Sequence, residues 1–265
     1  MHPEKSTLET TMNTLFDLAN RVAVVTGSTD GMGLAIARAL GQSGARVVVS
    51  GRSQARSEEV ARRLSDEGIT AKGLACDITD AGSVEKFAKL ATESFGKVDA
   101  LVLNAAGAAP MGSMLDNTPA QLDEVVGANL RGSLLLVNAI APQMIARKDG
   151  SIIFMSSRGA KRGSAMLGLY SMSKAAIDQY VRNLALELGP SGVNVNSINP
   201  GPVRTEFSKV ALWSDPEKEA KLASTIPMRR LGSAEDVAGL AVLLCAPSGR
   251  FIHGQNISVD GGLTA

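Results

Sequence analysis

The chain has 265 residues, a net charge of +1, 45% apolar residues and 20% charged residues, a balance typical of a soluble globular protein rather than of one that binds nucleic acid or a membrane surface. The two cysteines, Cys76 and Cys245, lack metal-ligand spacing, and the two histidines are too few for most serine-hydrolase and zinc mechanisms. We therefore expect one α/β domain with no metal site.

The first 19 residues are polar and contain no continuous apolar run of the kind found in secretory signals. We expect residues 1–19 to be a flexible extension and residues 20–265 to form one folded domain. The absence of a disulfide framework favours a reducing, cytoplasmic setting. Further along the chain we expect no segment that approaches a membrane span.

Short β-branched runs alternate with stretches in which apolar residues return every three or four positions. The predicted strands are residues 21–26, 45–50, 70–75, 99–103, 151–155, 193–198 and 256–259. The predicted helices include residues 34–42, 54–67, 83–95 and 120–145. This alternation predicts a single doubly wound Rossmann domain, with a seven-stranded, mostly parallel sheet and helices on both faces.

A glycine-rich turn connects the first strand to the first helix, which is the context that a phosphate-binding loop requires. Gly27 allows a tight turn, Gly31 lets the backbone approach a pyrophosphate, and Gly33 allows close packing of helix on strand. A carboxylate at Asp30 would repel phosphate unless it turned away, and it could instead cap the helix. A turn without a ligand is the alternative. The expected contacts are Gly27, Thr29, Asp30, Gly31, Met32 and Gly33.

The end of the second strand bears on the choice of nucleotide. An NAD-specific site usually has an acidic residue here to bind the ribose 2′-hydroxyl, but this chain has Gly51 followed by Arg52. A guanidinium at Arg52, assisted by Arg56, can bind a 2′-phosphate, so we predict NADP(H). The alternative for Arg52 is an ordinary solvated arginine.

Tyr170 and Lys174 lie four residues apart in a predicted helix that continues to Leu188, so their side chains share one face. A nearby ammonium and an oxidised nicotinamide could lower the tyrosine pKa of about 10 by about 2 to 3 units, which suits proton exchange near neutral pH. Ser157 lies thirteen residues before Tyr170, at the end of the fifth strand. A surface contact is the alternative for the Tyr–Lys pair.

In their order and spacing, these motifs resemble the short-chain dehydrogenase/reductase family. The resemblance implies a catalytic tetrad of Asn129, Ser157, Tyr170 and Lys174, in which Asn129 orients a water beside the lysine and Lys174 also binds the nicotinamide ribose. Tyr170 and Lys174 would therefore contact the cofactor as well. Ser156 is the alternative serine, and a local backbone bond is the alternative role for Asn129.

The resemblance also assigns cofactor contacts after the later strands. Asp77 and Ile78 would lie beside the adenine, and small residues after the fourth strand would approach its ribose. A Pro-Gly motif after the sixth strand would place Thr205 at the nicotinamide carboxamide, unless it is an ordinary proline-rich turn. The remaining contacts implied are Asn104, Ala105, Gly107, Pro200, Gly201 and Val203.

The function implied is NADP(H)-dependent interconversion of a ketone and a secondary alcohol, with a small-molecule substrate. One rival is reduction of 3-oxoacyl thioesters, for which Arg147 and Lys148 could dock an acyl carrier protein although Leu186 replaces an expected arginine. A second rival is a non-catalytic NADP-binding sensor or scaffold. The resemblance also implies a homotetramer or homodimer.

The substrate pocket is expected to be formed by residues 108–111, 158–166 and 203–228, the last of which has the length of an insertion that serves as a lid or a binding loop. Arg158, Lys161 and Arg162 follow Ser157 closely. They could attract an anionic substrate, or they could form a solvated basic loop.

Overall fold

Seven strands form one sheet in the computed structural model, which describes residues 14–107, 110–206, 208–209 and 213–265. They are β1 (Val22–Val25), β2 (Arg46–Gly51), β3 (Ala71–Ala75), β4 (Ala100–Leu103), β5 (Gly150–Met155), β6 (Val193–Pro200) and β7 (Asn256–Val259). Their order is β3-β2-β1-β4-β5-β6-β7, and every neighbouring pair is parallel. The predicted fold class is confirmed.

Helices cover both faces of the sheet. They are α1 (Gly31–Gln42), α2 (Gln54–Asp66), α3 (Ala81–Phe95), α4 (Pro119–Val126), α5 (Gly132–Arg147), α6 (Gly168–Leu188), α7 (Pro216–Thr225) and α8 (Ala234–Cys245). The strand order reverses direction between β1 and β4. In open α/β sheets a ligand binds beyond the carboxyl ends of the strands at this switch point, so the fold places the predicted cofactor loop where a dinucleotide binds.

Two apolar cores lie on opposite faces of the sheet. One includes Ile36 and Val237, and the other includes Phe87 and Val181. Cys245 lies in the first core and Cys76 in the second, and both are free thiols. Burial raises the pKa of each thiol to about 12, so neither is a reactive thiolate near neutral pH.

One helical stretch, Pro119–Arg147, is long and apolar enough by length and composition to cross a membrane. The expectation that no segment approaches such a span was therefore wrong. Its buried side chains, among them Leu136, Ile140 and Met144, pack in the second core with Phe87 of α3. Packing in this core accounts for the apolar character of the stretch.

The predicted lid, residues 203–228, is partly helical because it contains α7. Residues 207 and 210–212 of this segment lie outside the described residues, as do residues 108–109 of the predicted pocket and residues 1–13 of the predicted extension. Trp213 Nε1 donates to the Thr205 carbonyl oxygen over 3.1 Å, and Arg204 forms an ion pair with Glu219. These contacts join the first residues of the segment to its later described part.

Candidate active site

The glycine loop between β1 and α1 has the geometry of a phosphate cradle. Gly27 and Gly31 have φ of 61° and 54°, values that favour glycine. A Cβ at Gly33 would lie 2.3 Å from the Gly27 carbonyl oxygen and 2.5 Å from Asn104 Nδ2, so a larger residue cannot occupy this position without displacing the loop. The φ of Gly27 fits the predicted tight turn and the crowding at Gly33 fits the predicted close packing, while the approach of Gly31 to a pyrophosphate stays a prediction.

The N-terminus of α1 is available to a ligand. Asp30 occupies the N-cap position but its side chain makes no capping hydrogen bond, whereas serine, threonine or aspartate side chains cap α2, α3, α4, α7 and α8. Asp30 is exposed, and Met32 packs against the core. The backbone N–H groups at the start of α1 are therefore free of side-chain caps, as anion binding requires.

The loop after β4 is fastened to the glycine loop by Asn104. Its Nδ2 donates to the carbonyl oxygens of Thr26 and Gly27 over 3.0 and 2.8 Å. The Thr26 hydroxyl in turn accepts the backbone N–H groups of Asn104 and Ala105 over 3.0 and 3.1 Å. These bonds hold the Asn104 and Ala105 backbone beside the cradle, on the side where the ribose contact was predicted.

The end of β2 is crowded at Gly51, whereas the next residue, Arg52, is exposed. A Cβ at Gly51 would lie 2.8 Å from Thr29 Cγ2, so Thr29 occupies the space of a side chain there. The pKa of the Asp77 carboxyl is lowered mainly by hydrogen bonds from Thr79, and the charge of the exposed Arg52 lowers it further. Arg56 pairs with Glu59 over 2.9 Å, so its guanidinium is already engaged.

The loop after β3 is ordered by local hydrogen bonds. Asp77 Oδ1 accepts from the Thr79 backbone N–H and hydroxyl over 2.9 and 2.7 Å. A Cβ at Gly132 would lie 2.7 Å from the Ile78 carbonyl oxygen, so Ile78 lies against the start of α5. Both predicted adenine contacts are thus held at the carboxyl edge of the sheet.

The loop after β6 approaches the glycine loop. Pro200 pairs with Val259, Val203 is 5% exposed, and a Cβ at Gly201 would lie 2.7 Å from the Asp260 Cα. A Cβ at Gly31 would lie 3.4 Å from the Thr205 side chain. Thr205 therefore lies directly beside the phosphate cradle, which is compatible with its predicted contact to the cofactor.

The two candidate serines after β5 point in different directions. Ser156 is 4% exposed and its hydroxyl donates to the Lys174 carbonyl oxygen over 3.2 Å. Ser157 is partly exposed, its Oγ accepts the Gly159 N–H over 3.1 Å, and its hydrogen bond with the Tyr170 side chain acts to lower the tyrosine pKa. The geometry favours Ser157 over the alternative, Ser156.

Tyr170 and Lys174 come together on α6 as predicted. Lys174 Nζ lies 5.6 Å from the centre of the Tyr170 ring and donates to the Met155 carbonyl oxygen over 2.8 Å. Burial lowers the pKa of Lys174 to about 8. Burial also raises the pKa of Tyr170, against the downward effects of Ser157 and Arg158, so the expected depression of the tyrosine pKa is absent from the protein alone.

Asn129 lies in a π-helical turn, Gly127–Arg131, between α4 and α5. Its Oδ1 accepts the Gly107 N–H over 3.0 Å and its Nδ2 donates to the Ser173 hydroxyl over 2.9 Å. Ser173 donates in turn to the Tyr170 carbonyl oxygen over 2.8 Å. The Asn129 side chain therefore makes long-range bonds, not the local one considered as its alternative role, and π turns are frequent at functional sites.

The basic residues near the site are not equivalent. Lys161 donates to the Asn256 carbonyl oxygen and to Ser258 on β7, which leaves it away from Tyr170. Arg162 is exposed. Arg158 is partly buried, and its charge lowers the pKa of Tyr170. Of the three, Arg158 is the one whose charge acts on Tyr170.

Arg147 and Lys148 lie at the wrong edge of the sheet for docking a carrier protein within one chain. They precede β5, whereas Ser157 follows it, and a strand of this length separates its ends by about 20 Å. Arg147 also donates to the Val98 carbonyl oxygen over 2.6 Å and pairs with the buried Asp99. The predicted docking position is not supported in the single chain.

Two polar residues at the site were missed from the sequence. Asp178 is 4% exposed and accepts a 2.7 Å hydrogen bond from Asn199, which also donates to the Ser157 carbonyl oxygen over 3.1 Å. The available signal was the spacing of Asp178, four residues after Lys174 in an otherwise apolar helix face.

Comparisons with known proteins agree with this geometry. A family model described as enoyl-(acyl carrier protein) reductase matches residues 27–264. Dehydrogenase/reductase SDR family member 4 of Bos taurus is 40% identical over 245 residues, which cover 92% of this chain and 88% of that protein. The Homo sapiens protein of the same name is 39% identical over the same shares. The chain belongs to the short-chain dehydrogenase/reductase family, whose members are oxidoreductases.

Solved structures give the same result. A gluconate 5-dehydrogenase from Burkholderia cenocepacia J2315, in complex with NADP and tartrate, superposes with a TM-score of 0.91 and 30% identity, covering 96% of this chain and 98% of the other. A putative NAD(P)-dependent gluconate 5-dehydrogenase from Beutenbergia cavernae, with bound NADP at low occupancy, gives 0.88 and 32%, covering 94% and 98%.

Proposed function

We propose that this protein interconverts a ketone and a secondary alcohol with NADP(H), using Tyr170 as the proton-transfer group. The observation that supports this most directly is the grouping of Ser157, Tyr170 and Lys174 at the carboxyl edge of β5, on the same edge of the sheet as the glycine loop. A hydroxyl donor, a tyrosine and a buried ammonium in one place suit proton exchange with a carbonyl oxygen.

The described residues fit a dinucleotide. The start of α1 would bind the pyrophosphate through backbone N–H groups, since its glycines leave the space and no side chain caps it. Thr205 and Lys174 would hold the nicotinamide end, and Asp77 the adenine end. When bound, NADPH supplies the hydride for the substrate carbon.

The side chains of this protein would manage the proton. Ser157 would donate a hydrogen bond to the substrate oxygen and stabilise its developing negative charge. Tyr170, whose pKa burial raises, would hold its proton until the oxygen takes it. Lys174, with a pKa of about 8, would remain largely protonated at neutral pH and favour the tyrosinate that is left. Asn129 would extend the relay toward solvent.

The preference for NADP(H) over NAD(H) is supported by the end of β2. Thr29 fills the space beside Gly51, and Arg52 is exposed beyond it. The two gluconate 5-dehydrogenase structures contain NADP, which agrees with this choice. Reduction of 3-oxoacyl thioesters is the second candidate reaction. The family model that matches this chain is described as an enoyl-(acyl carrier protein) reductase, which shares with this candidate only the acyl thioester as a class of substrate.

The test is consumption of NADPH and NADH by the wild-type protein over aryl ketones, diketones, keto acids and 3-oxoacyl thioesters. Turnover of a free ketone with NADPH supports the proposal. Turnover confined to thioesters would support the second candidate. NADPH binding without turnover of any substrate would contradict both and favour a non-catalytic sensor or scaffold.

Arg52→Gln tests the nucleotide preference separately. Loss of a charge-assisted bond to phosphate costs about 1.5 to 3 kcal/mol, so kcat/KM for NADPH should fall by roughly 10- to 100-fold while that for NADH stays constant. Arg56→Gln is the matched control because Arg56 is already paired with Glu59. An unchanged NADPH preference in Arg52→Gln would contradict the assignment.

We further propose that the protein forms a homotetramer or homodimer in the cytoplasm. Apolar side chains are exposed on the long helices, among them Leu122 and Leu134 on α4 and α5 and Leu186 on α6. Such surfaces favour association between subunits. Sedimentation at the monomer mass would contradict an oligomer, and cell fractionation would test the location.

A further inference from the structure

Asp178 is a buried carboxylate on the helix that contains Tyr170 and Lys174. Asp178 is on α6, one helical turn after Lys174, and is 4% exposed. Its Oδ1 accepts from the Ser197 hydroxyl over 2.9 Å, and its Oδ2 accepts from Asn199 Nδ2 over 2.7 Å. Alternate residues of β6 thus provide a donor to each oxygen, as a buried carboxylate requires.

Asn199 connects this carboxylate to the backbone of the candidate catalytic serine. Its Nδ2 lies 2.7 Å from Asp178 Oδ2 and 3.1 Å from the Ser157 carbonyl oxygen. An amide nitrogen has two hydrogens, so it can donate to both acceptors at once. The main chain of Ser157 is thereby fixed relative to α6, the helix that contains Tyr170 and Lys174.

Asp178 also acts on Lys174 through its charge. Lys174 is 5% exposed, and burial lowers its pKa to about 8, while the negative charge of Asp178 opposes that shift. Within the described residues the two form no salt bridge, since Lys174 Nζ donates to Met155. The charge of Asp178 therefore favours the protonated form of Lys174, while the ammonium hydrogens of Lys174 stay available to other groups of the site.

The other charged groups near Asp178 lie farther out. Arg182 on α6 donates to Asn256 Oδ1, and Lys161 donates to the Asn256 carbonyl oxygen, both at exposed positions. Asn256 then donates to Ser197 over 2.7 Å. A neutral amide and a hydroxyl thus separate these two cations from the carboxylate.

We propose that Asp178 is a positioning residue of the active site. Through Asn199 it fixes the main chain of Ser157, and its negative charge keeps Lys174 protonated inside the fold. The proposal rests on the proposed function, because it assigns Ser157 and Lys174 the roles given there.

Asp178→Asn tests the charge. An amide at this position can still accept from Asn199 and donate to Ser197, so shape and hydrogen bonds are retained while the charge is lost. Without the anion the pKa of Lys174 should fall further below about 8, and the protonated lysine is lost at a lower pH. In the reduction direction, the alkaline limb of the kcat/KM profile should move by about one unit to lower pH.

The matched control is Glu187→Gln, which removes the same charge from an exposed position on α6. Its profile should coincide with that of the wild type. If the Asp178→Asn profile coincides with it as well, the charge role is overturned. A wild-type protein that reduces no ketone would instead overturn the proposed function, so the two failures can be told apart.

Asn199→Ala tests the bridge and remains decisive if Asp178→Asn does not fold. Displacement of the Ser157 main chain should lower kcat by about 10- to 100-fold, with the Kd for NADPH unchanged. Asn194→Ala is the control, because Asn194 also lies on β6 but donates to the Ile252 carbonyl oxygen over 2.9 Å, at the opposite edge of the sheet. Equal kcat in both variants, after correction for folded fraction, would overturn the bridge.

Discussion

The two parts of the proposed active site are built by different means: the cofactor side, which is the glycine loop and the end of β2, and the proton-transfer side, which surrounds Tyr170. Around the glycine loop, the lack of room for side chains determines the structure. Gly33 and Gly51 each have a neighbour where a Cβ would stand, and the start of α1 has no side-chain cap. Around Tyr170, hydrogen bonds of polar side chains determine the structure, because Asn129 and Asn199 connect segments that are distant in sequence.

This difference has a consequence for substitution. On the cofactor side an added Cβ would collide with the Gly27 backbone at position 33 and with the Thr29 side chain at position 51, so the damage is steric. On the proton-transfer side an isosteric change can remove a charge or a proton and leave the shape intact, so binding and chemistry can be separated. Substitutions on the cofactor side should therefore lower both stability and cofactor binding, whereas those on the proton-transfer side should lower turnover alone.

Among substitutions on the cofactor side, the largest effect on stability and on NADPH binding is expected from Gly33→Ala. The new Cβ would lie 2.3 Å from the Gly27 carbonyl oxygen, so the loop must move. Overpacking of this kind costs about 1 to 3 kcal/mol of stability, and the displaced N–H groups should weaken NADPH binding by at least about 10-fold. Thermal unfolding and calorimetric titration measure the two effects.

The control for that variant is Gly239→Ala on α8, where a Cβ would meet no atom within 4 Å. Alanine in this exposed helical position should raise stability by about 1 kcal/mol and leave NADPH affinity unchanged. If Gly33→Ala behaves like Gly239→Ala, the steric account of the cofactor side is wrong.

The smallest effect is expected from Arg158→Met. The partly buried guanidinium lowers the pKa of Tyr170, so its removal should raise that pKa further. The tyrosinate needed for alcohol oxidation then forms at higher pH, and the rising limb of the oxidation profile should move up by less than about one unit.

Arg162→Met is the control for Arg158→Met because Arg162 is exposed on the same loop. The pair also tests whether the substrate is anionic, since kcat/KM for keto acids relative to neutral ketones should fall in Arg158→Met only. Identical ratios in both variants would leave the loop as a solvated basic surface.

Much of the fold could be predicted because it depends on local pattern. The bounds of β7 agree with the prediction, and the other strand bounds agree or differ by at most two residues, since buried parallel strands are continuous β-branched runs. The glycine loop and the Tyr170–Lys174 pair were found for a related reason, because each is a short motif whose spacing determines its geometry.

The remaining features depend on contacts between distant segments, which spacing alone does not determine. The bonds of Asn199 to Asp178 and Ser157 join residues 21 and 42 positions apart. The rise in the Tyr170 pKa depends on burial, and the unsuitability of Arg147 for docking depends on which edge of the sheet it occupies. Each of these quantities requires the folded chain.

The most direct test of the whole account is Tyr170→Phe, with NADPH affinity and ketone turnover measured on the same preparation. The substitution removes one hydroxyl on the proton-transfer side and leaves the glycine loop untouched. We predict that the Kd for NADPH is unchanged while kcat falls by roughly 100- to 10,000-fold, the loss expected for a general acid. Turnover retained at the wild-type rate would contradict the assignment of Tyr170 and with it the proposed mechanism.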